Sequence, residues 1–67
     1  MIELTLNGAR QEFDQRLTIT QLLDRMQLSG KRLAVERNGE IVPKTEHPTV
    51  CVEDGDHIEI VVAVGGG

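Results

Sequence analysis

A single amphipathic helix pattern, with alternating segments on both sides of it, limits the folds open to this chain. Its apolar residues follow the i, i+3, i+4, i+7 spacing of one helix face: Ile19, Leu22, Leu23 and Met26. One helix cannot bury such a face by itself. The face must therefore pack against a sheet built from the remaining segments.

The ends of this helix are also indicated by the sequence. Thr18 and Gln21 have the spacing of a capping box, in which each side chain satisfies a backbone N–H of the other residue. Gly30 lies shortly after the last apolar residue of this region, Leu28, and glycine readily takes the left-handed conformation that ends helices. We expect the helix to begin at Thr18 and to stop at Gly30.

The segments around the helix alternate apolar and polar residues with the period of strands. Strands are predicted at Ile2–Leu6, 11–16 with Phe13 facing inward, 33–37, a short edge piece at 41–43, and 58–64. Asn-Gly pairs at 7–8 and 38–39 favour tight turns between antiparallel strands. Residues 45–48 are predicted to be irregular.

The order of these elements predicts an α+β fold. The first and last strands carry the fullest apolar sets and should form the centre of the sheet. We expect a mixed four- to five-stranded sheet with one helix packed across one face. Residues 1–64 form this domain, and 65–67 form a flexible glycine tail.

Length and composition exclude several classes of function. The 67 residues suffice for one domain, and 11 acidic against 7 basic residues argue against nucleic-acid binding. No stretch reaches the ~20 apolar residues that span a bilayer, and the N-terminus lacks the basic start of a signal peptide. A single cysteine fits a reducing compartment. We expect a cytoplasmic protein that is a monomer when free.

Side chains that could act as metal ligands or nucleophiles give no convincing site. The carboxylates around the last turn are too few and too close together for a calcium loop and are expected to be solvated: Glu53, Asp54, Asp56 and Glu59. His47 and His57 lack the spacing of a metal pair. Cys51 lies between two valines with no base nearby, and we expect a small buried or edge-strand residue. No metal, bound cofactor or catalytic side chain is predicted.

The sequence finishes with three glycines, Gly65, Gly66 and Gly67. Glycine has the most conformational entropy to lose and no side chain to pack, so this segment should not order itself. One interpretation is a frayed end. The other is an arm without side chains that delivers the carboxylate of Gly67 into a narrow enzyme crevice, where activation by ATP makes it reactive.

Three segments of the chain resemble the thiamine-biosynthesis sulfur carrier family (ThiS), a family with the ubiquitin-like β-grasp fold. They are 33–44 (LAVERNGEIVPK), 54–60 (DGDHIEI) and 62–67 (VAVGGG). The glycine tail alone is weakly specific, since ubiquitin-like modifiers and the molybdopterin sulfur carrier also end in glycines. The order of the three segments and the length of the chain strengthen the resemblance.

The resemblance implies a carrier protein, which partner enzymes use as a co-substrate. A ThiF-type adenylyltransferase would use ATP to activate Gly67, and a sulfur donor such as a cysteine desulfurase would convert the adenylate into a thiocarboxylate. Thiazole synthase would then take the sulfur. Gly65 and Gly66 would occupy the partner's crevice.

A docking surface is predicted beside the tail. Along the last strand Val61 and Ala63 point away from the helix, and apolar residues there suit a partner that draws in the tail. Three alternatives stay open at the level of the sequence. They are a carrier for molybdopterin or another thio-metabolite, a protein modifier joined to lysines, and a binding module whose glycines are incidental.

Overall fold

A computed structural model describes residues 1–63, which form a sheet with one α-helix packed on it. The elements are β1 (Ile2–Leu6), β2 (Ala9–Phe13), α1 (Ile19–Arg25), β3 (Leu33–Arg37), β4 (Glu40–Ile41), a 3₁₀ turn (Lys44–Glu46) and β5 (His57–Val62). The five strands of this region lie in the order β2-β1-β5-β3-β4. β1 and β5 are parallel and the other neighbours are antiparallel, so the sheet is mixed, as predicted.

The two Asn-Gly turns form where they were predicted. Asn7 and Gly8 have φ values of 48° and 85°, and Asn38 and Gly39 have 54° and 86°. Positive φ at both central residues is typical of the tight turn that matches the twist of a hairpin. The first turn places Leu6 opposite Ala9, the first residue of β2.

The predicted bounds of the second strand, 11–16, are wrong. Because the Asn7-Gly8 turn has only two residues, pairing resumes at once and β2 begins at Ala9. It ends at Phe13, which pairs with Ile2, and Ile2 is the first residue of β1. Beyond Phe13, β1 has no further residue to pair with.

The predicted capping box is present at the start of α1. The Thr18 hydroxyl accepts a hydrogen bond from the Gln21 N–H at 3.1 Å. The Gln21 side chain in turn accepts one from the Thr18 N–H at 2.9 Å. Each residue therefore satisfies a backbone donor that the first turn of a helix leaves unpaired.

The predicted stop at Gly30 is wrong, since α1 ends at Arg25 and the left-handed residue is Gln27, with φ 60°. The Leu28 N–H donates to Leu23 O at 2.8 Å and the Gln27 N–H donates to Asp24 O at 3.0 Å. These two bonds form a Schellman motif. Leu28, the residue after Gln27, packs against the core. This packing sets where the helix ends, and it requires Gln27 to adopt the positive φ.

The hydrophobic core lies between α1 and one face of the sheet. Its buried residues are Ile2, Leu4, Leu6, Leu17, Ile19, Leu22, Leu23, Val35, Val52, Ile58 and Ile60. Phe13 and Met26 are partly buried against this cluster. The inward residues of β1 and β5 are those that the alternating pattern predicted.

Residues 42–56 form no strand, and backbone hydrogen bonds join them to Leu17, Ile19 and Thr20 at the start of α1. Cys51 makes an isolated antiparallel bridge with Thr18 and is half-buried, which agrees with the prediction of an edge-strand residue. His47 is buried, and its Nε2 lies 3.1 Å from the Val42 carbonyl oxygen. Residues 45–48, predicted to be irregular, include part of the 3₁₀ turn.

Candidate functional site

Strand β5 carries the chain through the middle of the sheet to the predicted tail. It pairs with β3 from Arg37↔Ile58 to Leu33↔Val62. The Ala63 N–H then donates to Arg32 O at 2.8 Å, so the strand is held as far as the last described residue. The predicted site residues Gly65, Gly66 and Gly67, and the domain end at residue 64, lie outside the described residues.

The other side of β5 is held by a side chain in place of a strand. β1 and β5 pair only through Thr5↔His57 and Leu6↔Ile58, because β1 then turns away at Asn7. The Asn7 side chain accepts a hydrogen bond from the Ile60 N–H at 2.7 Å and donates one to the Ile60 carbonyl at 3.3 Å. The asparagine amide thus replaces the next peptide group of the β1 ladder.

The start of β5 is fixed by Asp56, and here the prediction of a solvated turn carboxylate is wrong. Asp56 is 7% exposed and accepts hydrogen bonds from Arg37 Nε at 2.7 Å, Asn38 Nδ2 at 3.1 Å and the Glu53 N–H at 2.8 Å. Asn38 also accepts a hydrogen bond from the His57 N–H at 2.9 Å. The second Asn-Gly turn is therefore tied to β5, as the first one is.

The surroundings of Asp56 lower the pKa of its carboxyl group below the ordinary value. Burial alone would raise this pKa, because it disfavours the charged form. The hydrogen bond from the Glu53 N–H and the contacts with Arg37 and Asn38 favour the carboxylate and outweigh burial. Asp56 is thus charged at neutral pH and holds the turn before β5.

The predicted docking residues lie on the face of the sheet that α1 leaves open. Val61 is 65% exposed, and Ala63 is exposed beyond the end of the strand. Ala34 is directly opposite Val61 on β3, and it is exposed too. The same face continues to Ile41 of β4, which is 62% exposed. An apolar surface therefore borders the exit of the chain from the sheet, and its role in docking stays a prediction.

Two carboxylates on this open face form a pair that the sequence did not reveal. Glu36 and Glu59 are directly opposite each other in the β3–β5 pair. Like charges at such positions destabilise a sheet, so a basic side chain from a partner would relieve their repulsion. The alternating pattern identifies their face but not their pairing, because only the register brings them together.

Among residues 1–63, no three histidine, cysteine or carboxylate side chains lie close enough together to hold a metal ion. In the same range, no helix has the length and apolar character needed to cross a membrane.

Comparison with known proteins agrees with this architecture. The model of the family described as ThiS matches residues 3–67. The chain belongs to the ThiS family. The match includes all three segments on which the resemblance in the sequence was based, 33–44, 54–60 and 62–67.

Relatives of two lengths match this ThiS-family chain. It is 45% identical over 65 residues to the sulfur carrier protein ThiS of Bacillus subtilis, covering 96% of this chain and 98% of that protein. It is 42% identical over 66 residues to a thiazole synthase of Paramagnetospirillum magneticum. That match covers 98% of this chain but only 20% of the thiazole synthase. The chain therefore spans about a fifth of the longer relative.

A solved structure confirms the β-grasp fold. The crystal structure of the thiamine biosynthesis protein ThiS from Geobacter metallireducens superposes with a TM-score of 0.84 at 32% identity. The superposition covers 98% of this chain and all of that one. The mixed sheet with one helix is thus the fold of the family.

Proposed function

We propose that this chain is a sulfur carrier of thiamine biosynthesis whose working group is the carboxylate of Gly67. The observation that carries the proposal is the match over almost the full length of both chains to the Bacillus subtilis sulfur carrier protein. The chemistry of the sequence supports it, because three glycines, 65–67, come shortly after the end of the central strand β5 at Val62.

The proposed chemistry begins with activation of the carboxylate. A carboxylate is an unreactive anion, so one of its oxygens must first attack the α-phosphorus of ATP and release pyrophosphate. A donor such as a cysteine desulfurase supplies sulfur as a persulfide, whose terminal sulfur attacks the acyl carbon and displaces AMP. A reducing thiol then attacks the donor's own sulfur in the resulting acyl disulfide, so that the S–S bond breaks and the donor is left in a disulfide with that thiol. The product is a C-terminal thiocarboxylate. ATP is a substrate of the partner adenylyltransferase of the ThiF type and is not bound by the carrier.

The fold contributes position and reach, without catalytic side chains. Backbone pairing with β3 and the amide of Asn7 hold β5 on both sides, so the tail leaves from a fixed point. Residues without a Cβ permit close approach of a crevice wall to the backbone. The chain thus acts as a co-substrate of its partner enzymes.

Thiazole synthase is the proposed acceptor of the sulfur. Support comes from the thiazole synthase of Paramagnetospirillum magneticum, a fifth of which is similar to this chain. A carrier and an acceptor that share one polypeptide in a relative are expected to meet as separate chains as well. Because the cycle consumes ATP and reduced sulfur, we place it in the cytoplasm.

Two changes in the tail test the proposal. Deletion of Gly67 keeps a terminal glycine but shortens the arm by ~3.5 Å, which holds the acyl carbon away from the α-phosphorus. Gly66→Val keeps the length but adds a branched Cβ at the crevice wall. ATP–pyrophosphate exchange with purified adenylyltransferase should collapse for both variants while their melting temperatures stay unchanged. If the shortened chain exchanges as fast as the wild type, Gly67 is not the acceptor.

A further inference from the structure

A groove of about 480 Å³ lies between the end of α1 and the 3₁₀ turn. Its apolar floor is formed by Leu23, Leu28, Leu33 and Pro48. Three cations, Lys31, Arg32 and Lys44, line it as well. We call this surface the basic groove.

The charge of the basic groove is opposite to that of the whole chain. The protein has 7 basic and 11 acidic residues and a net charge of −4. Three of the basic residues line the groove, and none of the acidic residues does. Within residues 1–63, the ion pairs use three of the four other arginines: Arg10 with Glu3, Arg16 with Glu53, and Arg37 with Asp56. The described structure therefore gives the three groove cations no carboxylate partner.

One wall of the groove is joined to the base of the tail. Arg32 accepts the backbone hydrogen bond from Ala63, and Leu33 pairs with Val62. The opposite wall is held by His47, which is buried and accepts a backbone hydrogen bond from Thr20 at 3.1 Å. The groove therefore lies beside the point from which the tail leaves the sheet.

We propose that the basic groove seats an acidic segment of thiazole synthase, with an apolar side chain on the floor and carboxylates against the cations. This inference rests on the proposed function, because it assigns the groove to the enzyme that receives the sulfur. Complementary charge of this kind speeds association and fixes the register of the two proteins. The groove would thereby align the tail as it enters.

The test is a binding measurement with charge-reversed carriers. Lys31→Glu with Lys44→Glu reverses two exposed groove charges and leaves the core untouched. Arg10→Glu with Arg25→Glu is the matched control, since it changes the net charge equally, both arginines are exposed, and neither lines the groove. Affinity for purified thiazole synthase of the same organism is measured at low and high ionic strength, with a melting curve for each carrier.

The double variant should bind thiazole synthase about tenfold or more weakly at low ionic strength, and the difference should shrink as salt screens the charges. The control should bind within about twofold of the wild type. The rate of ATP–pyrophosphate exchange with the adenylyltransferase should be the same for the double variant and the control. Equal binding of wild type and double variant overturns the inference, and so does an equal loss in the exchange assay.

The same proteins separate failure of the inference from failure of the proposed function. A wild-type carrier that acquires a thiocarboxylate but shows no groove-dependent binding retains its function and loses this partner site. A wild-type carrier that never acquires sulfur contradicts the proposed function. In that case equal binding of the two carriers would overturn the groove assignment independently.

Discussion

Individual side chains fix β5 through contacts far apart in the sequence. Asn7 bonds to Ile60, 53 positions later, and Asn38 bonds to Asp56, 18 positions later. Both asparagines also occupy the left-handed positions of tight turns, where asparagine is tolerated well. The sequence predicts the two turns from local chemistry. The bonds to β5 cannot be predicted in this way, because they depend on how distant segments come together.

The Asp56 cluster makes stability depend on pH. Because folding lowers the pKa of this carboxyl group, its contribution is fully present above the unfolded value of about 4 and is lost as the pH falls through the folded value. Asp56→Asn should cost about 1–3 kcal/mol of unfolding free energy at neutral pH. Urea unfolding at neutral and acid pH measures the difference.

The cost of Asp56→Asn should shrink as the pH falls, because the wild-type carboxyl group becomes protonated too. Asp14→Asn, which changes an exposed carboxylate, is the control and should have little effect at any pH. A cost for Asp56→Asn that stays the same down to strongly acid pH would contradict the role given to this carboxylate.

At the scale of elements, local patterns predict where helix and strands occur better than where they end. The apolar stripe and the capping box identify α1, yet its end is set by the burial of Leu28, and Gln27 takes the left-handed position. Likewise the length of β2 depends on its partner, since pairing stops when β1 runs out of residues at Ile2. These limits are properties of packing and register.

The capping box of α1 should contribute measurably to the free energy of unfolding. Thr18→Ala removes the acceptor for the Gln21 N–H and should lower the unfolding free energy by ~1 kcal/mol. Thr20→Ala, in the first turn of the same helix, is the matched control. It should not destabilise the protein, because alanine has a higher helix propensity than threonine. Chemical denaturation compares the two variants. An equal stability for Thr18→Ala and wild type would mean that the capping box contributes nothing.

The open face of the sheet is tested by Val61→Asp. Because Val61 is exposed, the variant should fold, while the added charge lies on the apolar surface proposed for docking. Val61→Thr keeps the branched shape without the charge and serves as control. Adenylation and sulfur transfer with the purified partners should fall sharply for aspartate and little for threonine. Wild-type rates for Val61→Asp would remove this residue from the interface.

For the whole molecule, the fold was predictable because few arrangements satisfy one helix stripe and a small set of strands. The two strands with the fullest apolar sets, β1 and β5, are neighbours in the sheet, and their inward residues pack against α1. The basic groove was not predictable, since it combines a helix end, the start of β3 and the 3₁₀ turn. Such a surface exists only after the chain has folded.

The molecule as a whole is interpreted as a rigid holder for a reactive end group. If so, Gly67 carries sulfur in the cell, and intact-mass spectrometry of the chain detects this sulfur. The protein is purified rapidly from cells grown without thiamine, where demand for the carrier is high, and the variant lacking Gly67 is treated in parallel.

We expect a fraction of the wild-type chain to be heavier by the difference between sulfur and oxygen, and fragmentation to locate the change at Gly67. The shortened variant should show only the unmodified mass. A wild-type chain found only with its carboxylate, or joined through Gly67 to lysines of other proteins, would show that Gly67 does not carry sulfur.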